Sequence, residues 1–146
     1  MTTTYNLERF VQAQDSGGTY RQALAELQLG SKTSHWMWFI FPQIAGLGSS
    51  PTSVRYAISS LEEANAYLDH DILGPRLLEC STTIAAHAGR SAADILGSVD
   101  ARKLRSSMTL FLRAAPGETV FKTVLAQFFD GEPDPATDEL LAAGRD

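Results

Sequence analysis

Two short stretches hold the polar side chains of this chain that could do chemistry. Lys32 and Gln43 flank the run His35 to Phe41, which carries no formal charge and contains four aromatics, Trp36, Trp38, Phe39 and Phe41. Lys103, Ser106 and Ser107 lie far along the sequence in KLRSSMTLF. Indole rings offer faces for stacking and an N–H that needs a partner when buried. Beside them, an imidazole, an amide, two lysines and two hydroxyls make the donor set of an apolar pocket with a few convergent polar groups. The expected occupant is a small anionic, nucleotide-like ligand. Trp36 or Trp38 would stack on it, His35 and Gln43 would hydrogen-bond to it, and Lys32, Arg55 or Lys103 would meet its negative charge.

The segment after the aromatic run, GLGSSPTSVRY from Gly46 to Tyr56, adds a Gly/Ser loop that leads into a short helix. Free N–H groups at a helix start attract anions, and Arg55 and Tyr56 follow at once. The plainer reading is a turn and a cap. The spacing is that of neither a phosphate-binding P-loop nor a dinucleotide fingerprint.

Catalysis is the rival reading. His35 and Glu79 are the acid/base candidates for a hydrolase, of N-glycosidase type, acting on a nucleotide derivative. A nucleophile elbow is absent from the sequence. His35, His70, His87 and the single Cys80 lack metal-ligand spacing, so neither metal nor cofactor is expected. His70 and His87 read as helix-end residues, and Cys80 reads as core. A third reading is a protein-interaction module with Phe121, Phe128 and Phe129 partly exposed.

Bulk properties narrow the classes. Seventeen acidic against twelve basic residues give a net charge of −5, which is not a nucleic-acid footprint and disfavours anionic membranes. The longest apolar run, Trp36 to Pro42, is far short of the ~20 residues that span a bilayer. The first ten residues carry no leader pattern. The expectation is a cytoplasmic, monomeric protein without nucleic-acid or membrane partners.

The elements that must hold these residues are helical. Apolar residues recur at helical spacing, with Leu7, Phe10 and Val11 before the break DSGG, then Tyr20, Leu24 and Leu27 before Gly30. Ser60 with Glu63 reads as a capping box. Leu73, Leu77, Cys80 and Ile84 form a stripe, and Ser91 with Asp94 caps a short helix. A longer helix over 100–114 carries Leu104, Met108, Phe111 and Leu112. On it Ser107 falls within the apolar face, its hydroxyl expected to bond back to the Lys103 carbonyl, while Arg102, Arg105 and Thr109 point to solvent. Val120 to Phe129 is the most apolar stripe, and Asp134 with Pro135 starts a last helix. The aromatic run itself is expected to be helical and buried all round, with an exit forced at Pro42. No alternating strand is legible. The fold class is all-α, one compact domain over 1–146 built as a bundle of about seven to eight short helices, with the end AAGRD frayed.

The stretches KTSHWMWFIFPQIAGLG, LGPRLLEC, KLRSSMTLF and FFDGEPDPATDELL together resemble the domain-of-unknown-function family numbered 1810, small bacterial proteins. The resemblance covers nearly the whole chain. It implies a mainly helical single domain and no established activity. The family's pattern falls here on Lys32, His35, Trp36, Trp38, Gln43, Gly46, Gly48, Tyr56, Glu79, Lys103, Ser106, Ser107, Thr109, Asp134 and Thr137, among others. Some members carry the label calpastatin, but an inhibitor of that kind is disordered and repetitive, and this chain is neither.

Overall fold

Asp134 shows how sequence becomes architecture. Its Oδ2 accepts from the Thr137 N–H at 3.2 Å and caps the helix that Pro135 opens. The same oxygen accepts from Thr137 Oγ1 at 2.6 Å and from Ser106 Oγ at 2.9 Å, so the cap also welds the last helix to the middle of the chain.

A computed structural model describes residues 5–144. The helices are α1 (Glu8–Asp15), α2 (Thr19–Leu29), α3 (Met37–Ile40), α4 (Pro51–Arg55) and α5 (Leu61–Asp69). They continue as α6 (Leu73–Ala85), α7 (Ala92–Leu96), α8 (Ser98–Ala114), α9 (Thr119–Phe129) and α10 (Pro135–Ala143). Ten α-helices therefore form among the described residues, close to the expected seven to eight; α3, α4 and α7 are one-turn pieces of five residues or fewer. A 3-10 turn, Ser16–Gly18, joins α1 to α2. No strand forms among the described residues, and Ile44 and Ile58 make a single parallel bridge. Expectations that reach residues 1–4, including the leader reading, and the fraying of Arg145 and Asp146 lie outside the described residues.

The helices form one all-α domain around α8. α5, α7, α9 and α10 all pack on it, while α6 lies against α2, α5 and α9. α8 is buried on nearly every side: Leu104, Met108, Leu110 and Phe111 are enclosed, and so are Ser106, Ser107 and Thr109. Thr109 thus departs from the sequence reading, which sent it to solvent. The N-terminus of α10 covers it. Its Oγ1 donates to the Arg105 carbonyl at 2.8 Å and accepts from the Asp134 N–H at 2.9 Å. Arg105 is likewise held, donating to the Glu132 carbonyl at 2.9 Å and the Pro133 carbonyl at 2.8 Å. Ser107 differs too. Its Oγ has no hydrogen-bond partner among the described residues, so the expected bond to Lys103 is not made.

The stripe of α6 behaves as its spacing predicts: Leu73, Leu77, Cys80 and Ile84 are all buried. Burial pushes the Cys80 thiol up to about 12, as an apolar site does to any group that becomes charged by losing a proton. Ser91 and Asp94 form a complete capping box. Ser60 caps Glu63 at 3.1 Å, but the Glu63 carboxylate turns elsewhere, to the Ser59 N–H and hydroxyl at 2.8 Å each and to Arg9 at 3.0 Å.

Candidate functional site

The aromatic run is one helical turn with two fates. Phe41 stands at φ −124°, ψ 77°, outside the α region, as a residue before proline must. α3 therefore ends after four residues, and the buried helix expected from the sequence gives way to a bend. Trp36 and Trp38, two positions apart, face different neighbours across it.

Trp36 faces inward and is 0% exposed. Its Nε1 donates to Glu26 Oε1 at 2.9 Å. Glu26, itself 3% exposed, also accepts from the Thr33 N–H (2.7 Å), the Ser34 N–H (2.9 Å), Ser34 Oγ (2.6 Å) and Gln22 Nε2 (2.8 Å). Burial alone would raise the Glu26 carboxyl. The hydrogen bonds from Ser34, Gln22 and Thr33 outweigh it and hold the group well below the usual carboxylate range. The knot pins the loop 31–36 to α2. The sequence reading gave Glu26 no role, although its register with Ala23 on the buried face of α2 was the signal.

Trp38 faces outward and is half-buried. The Lys103 ammonium stands 5.1 Å from the centre of its ring, within cation–π range. Lys103 comes from α8, and its Nζ lies 3.5 Å from Asp100 Oδ1. The other oxygen, Oδ2, holds Lys32 Nζ at 2.8 Å. Lys32 in turn sits 5.0 Å from the centre of the Trp36 ring. Two lysine–tryptophan pairs thus share one carboxylate.

Two hollows open beside Trp38 and Lys103. The first, about 240 Å³, has Trp38, Gln43, Ile44, Gly48, Ser53 and Tyr56 in its wall. The second, about 320 Å³, is walled by Gln43, Gly48, Ser53, Arg102, Lys103, Ser106 and Asp134, with Leu47, Val99 and Ala136. Gln43, Gly48 and Ser53 belong to both and form the saddle between them. The Ile44–Ile58 bridge closes the neck of the loop that carries this saddle: Ala45 N–H donates to the Ile58 carbonyl and Ile58 N–H to the Gln43 carbonyl, each at 2.8 Å. Arg9 braces the far side, donating to the carbonyls of Arg55 at 2.7 Å and Ala57 at 2.8 Å. Tyr56 packs against Phe10 and Phe39.

Of the sequence candidates, Trp38, Gln43, Tyr56, Lys103 and Ser106 come together on these hollows. Arg55 is exposed, its guanidinium 5.6 Å from the Tyr56 ring centre, just behind the wall. Trp36, Lys32 and Ser107 lie behind it in the packed interior. His35 is exposed and part of neither wall. Glu79 is exposed and takes the Tyr20 hydroxyl hydrogen bond between α2 and α6, also away from both hollows. The Gly/Ser loop acts as turn and cap: Ser50 Oγ accepts from the Ser53 N–H at 3.1 Å and Pro51 occupies the first helical position.

Other candidates resolve as structural parts. His70 Nδ1 accepts from the Ile72 N–H at 3.1 Å, and His87 Nε2 lies 2.6 Å from the Leu27 carbonyl, so both sit at helix ends. Phe121 is core, while Phe128 and Phe129 are half-buried and stack edge-on, 6.4 Å apart. Among the described residues there is no cluster of three or more His, Cys, Asp or Glu able to hold a metal ion, and no helix long and apolar enough to cross a membrane.

The chain as a whole is similar to known proteins. The family model described as "Protein of unknown function (DUF1810)" matches residues 4–141. The crystal structure of the conserved hypothetical protein Rv1873 from Mycobacterium tuberculosis is similar at a TM-score of 0.92 and 52% identity, covering 96% of this chain and 99% of that one. No curated protein matches the chain.

Proposed function

The chain belongs to the DUF1810 family of proteins of unknown function, and from that premise we propose that its paired hollows bind a small, nucleotide-like organic anion. The observation that carries this reading is Lys103, its ammonium 5.1 Å from the centre of the half-buried Trp38 ring on the wall of a hollow. A cation beside an open aromatic face serves a ligand that has both negative charge and a flat body. Trp38 and Tyr56 would take the body in one hollow. Lys103 and Arg102 would take the charge in the other, whose wall Ser106 also lines, with Gln43 and Ser53 offering hydrogen bonds from the saddle between them. Arg102 makes no ion pair among the described residues, which leaves its charge free for a ligand.

Binding is preferred here to hydrolysis. Asp134 is the carboxylate in the wall, and its Oδ2 is already engaged by three hydrogen bonds, from Ser106 Oγ, the Thr137 N–H and Thr137 Oγ1. His35 and Glu79, the acid/base candidates, stand outside both hollows. A cytoplasmic setting, part of the same proposal, would supply soluble phosphorylated metabolites of this kind.

The test is calorimetric titration and thermal unfolding with adenosine 5′-monophosphate, ribose 5-phosphate and inorganic phosphate. A ligand at a hundred times its Kd adds about 2.7 kcal/mol to stability, a readily measured rise in Tm. The nucleotide should raise Tm most, and Lys103→Met and Trp38→Ala should each remove the effect. An unchanged Tm with all three, or equal shifts in the Lys103→Met protein, would end the proposal.

A further inference from the structure

We infer that Lys32, which lies behind the wall, sets the strength of the anion site through Asp100. The inference rests on reading the groove as an anion site. The Lys32 side chain is 8% exposed and that of Asp100 is 17% exposed, and their pair closes at 2.8 Å. The Lys103–Asp100 pair is looser, at 3.5 Å. One carboxylate between two lysines leaves the trio with a net positive charge. The arrangement assigns that surplus to the outer lysine, because the inner one has little water and the shorter contact.

Without Lys32, the whole of Asp100 would turn to Lys103 and cancel the charge presented at Trp38. With Lys32, Asp100 still fixes where Lys103 stands but neutralises it only in part. Lys32 is therefore a positioning residue that never touches the ligand. It also gives the lysine buried next to Trp36 a role: the buried cation holds back a carboxylate that would otherwise quench the site.

Removing the charge of Asp100 and removing that of Lys32 have opposite signs, and Trp38 reports them without any ligand. Trp36 is enclosed, so quenching of tryptophan fluorescence by a small ion reads Trp38. Iodide, at constant ionic strength, should quench Asp100→Asn about twice as well as the wild type, and Lys32→Met about half as well. The double variant restores the net charge of the trio and should return close to the wild-type value. Neutral acrylamide should quench all four alike, and the iodide differences should vanish near 1 M salt, where the screening length is about 3 Å.

Equal iodide quenching in all four proteins, or a fall in both single variants as plain loosening would give, overturns the inference. If Lys32→Met does not fold, Asp100→Asn still decides, since quenching at or below the wild-type level defeats it. The adenosine 5′-monophosphate titration separates the two readings. Ordered iodide values without nucleotide binding uphold the role of Lys32 and remove the nucleotide-like ligand, whereas nucleotide binding with unordered values does the reverse.

Discussion

Lys103 Nζ lies 5.1 Å from the centre of the Trp38 ring, and nothing near either residue in sequence brings them together. One comes from a one-turn helix that Pro42 cuts short, the other from the long central helix. They meet because Trp36, on the other side of the same turn, is anchored to Glu26, which fixes the direction left for Trp38. The groove is thus built on a buried carboxylate that takes no part in it.

That dependence makes Glu26 the first point to test. Its folded pKa is depressed, so its contribution is complete above the ordinary glutamate value of about 4.3 and is lost as the pH falls below it. Glu26→Gln should lose about 3 kcal/mol at pH 7, the scale of buried hydrogen bonds to a charged group. The gap between variant and wild type should narrow on going to pH 3, because only the wild type carries this pH slope. Urea unfolding at pH 7, 5 and 3 measures it. A gap that does not change with pH would mean that the carboxylate is not held ionised.

The clamp between α8 and α10 predicts coupling. Asp134 takes hydrogen bonds from Ser106 and from two groups of Thr137, so Asp134→Ala should cost about 2 kcal/mol, as loss of a cap with added partners does. Ser106→Ala should cost about 1 kcal/mol. The double variant should cost less than the two together, by at least 0.5 kcal/mol as groups in one network do. Strict additivity in a denaturation cycle would separate the two residues energetically.

Ser107 predicts the opposite sign. Its hydroxyl is fully buried without a partner among the described residues, and an unsatisfied buried hydroxyl is a cost of about 1–3 kcal/mol. Ser107→Ala removes only that group, so the variant should be as stable as the wild type or more so, by up to about 1 kcal/mol. A fall in Tm by several degrees would reveal a bond that the hydroxyl makes and alanine cannot.

How far the sequence reached follows from these cases. The stripe Leu73, Leu77, Cys80, Ile84 and the cap at Asp134 were legible because each depends on residues a turn or two away. Whether Lys32, His35, Gln43, Lys103 and Ser107 converge was legible only as a question, since spacing says nothing of how two segments meet; Gln43 and Lys103 reach the hollows, and Lys32, His35 and Ser107 do not. Trp36 and Trp38 could not be told apart: their fates differ through Glu26, on another helix. Thr109 points away from the main apolar arc of α8, and by periodicity alone belongs to water. What buries it is α10, returning from more than twenty residues later in the chain.

The saddle between the hollows gives the last prediction. A Cβ built on Gly48 would stand 2.6 Å from Ser53 Cβ and 2.7 Å from its Oγ, well inside van der Waals contact. Ser53 has little room to retreat, since its N–H is held by Ser50 Oγ and its own Oγ receives a bond from Ser50 at 2.8 Å. Gly48→Ala should therefore displace α4 and cost about 1–3 kcal/mol, the usual range for overpacking. Removing the opposing carbon should relieve it, so Gly48→Ala with Ser53→Gly should recover most of the lost Tm, even though glycine in a helix costs up to about 1 kcal/mol by itself. Gly48 and Ser53 also line both hollows, so the single variant should weaken any ligand that crosses the saddle, and the double, which reopens the way to Lys103 but lacks the Ser53 hydroxyl, should recover binding only in part. Thermal unfolding of the two variants with and without adenosine 5′-monophosphate reads both effects. A Gly48→Ala protein as stable as the wild type would mean that the loop yields where this packing says it cannot.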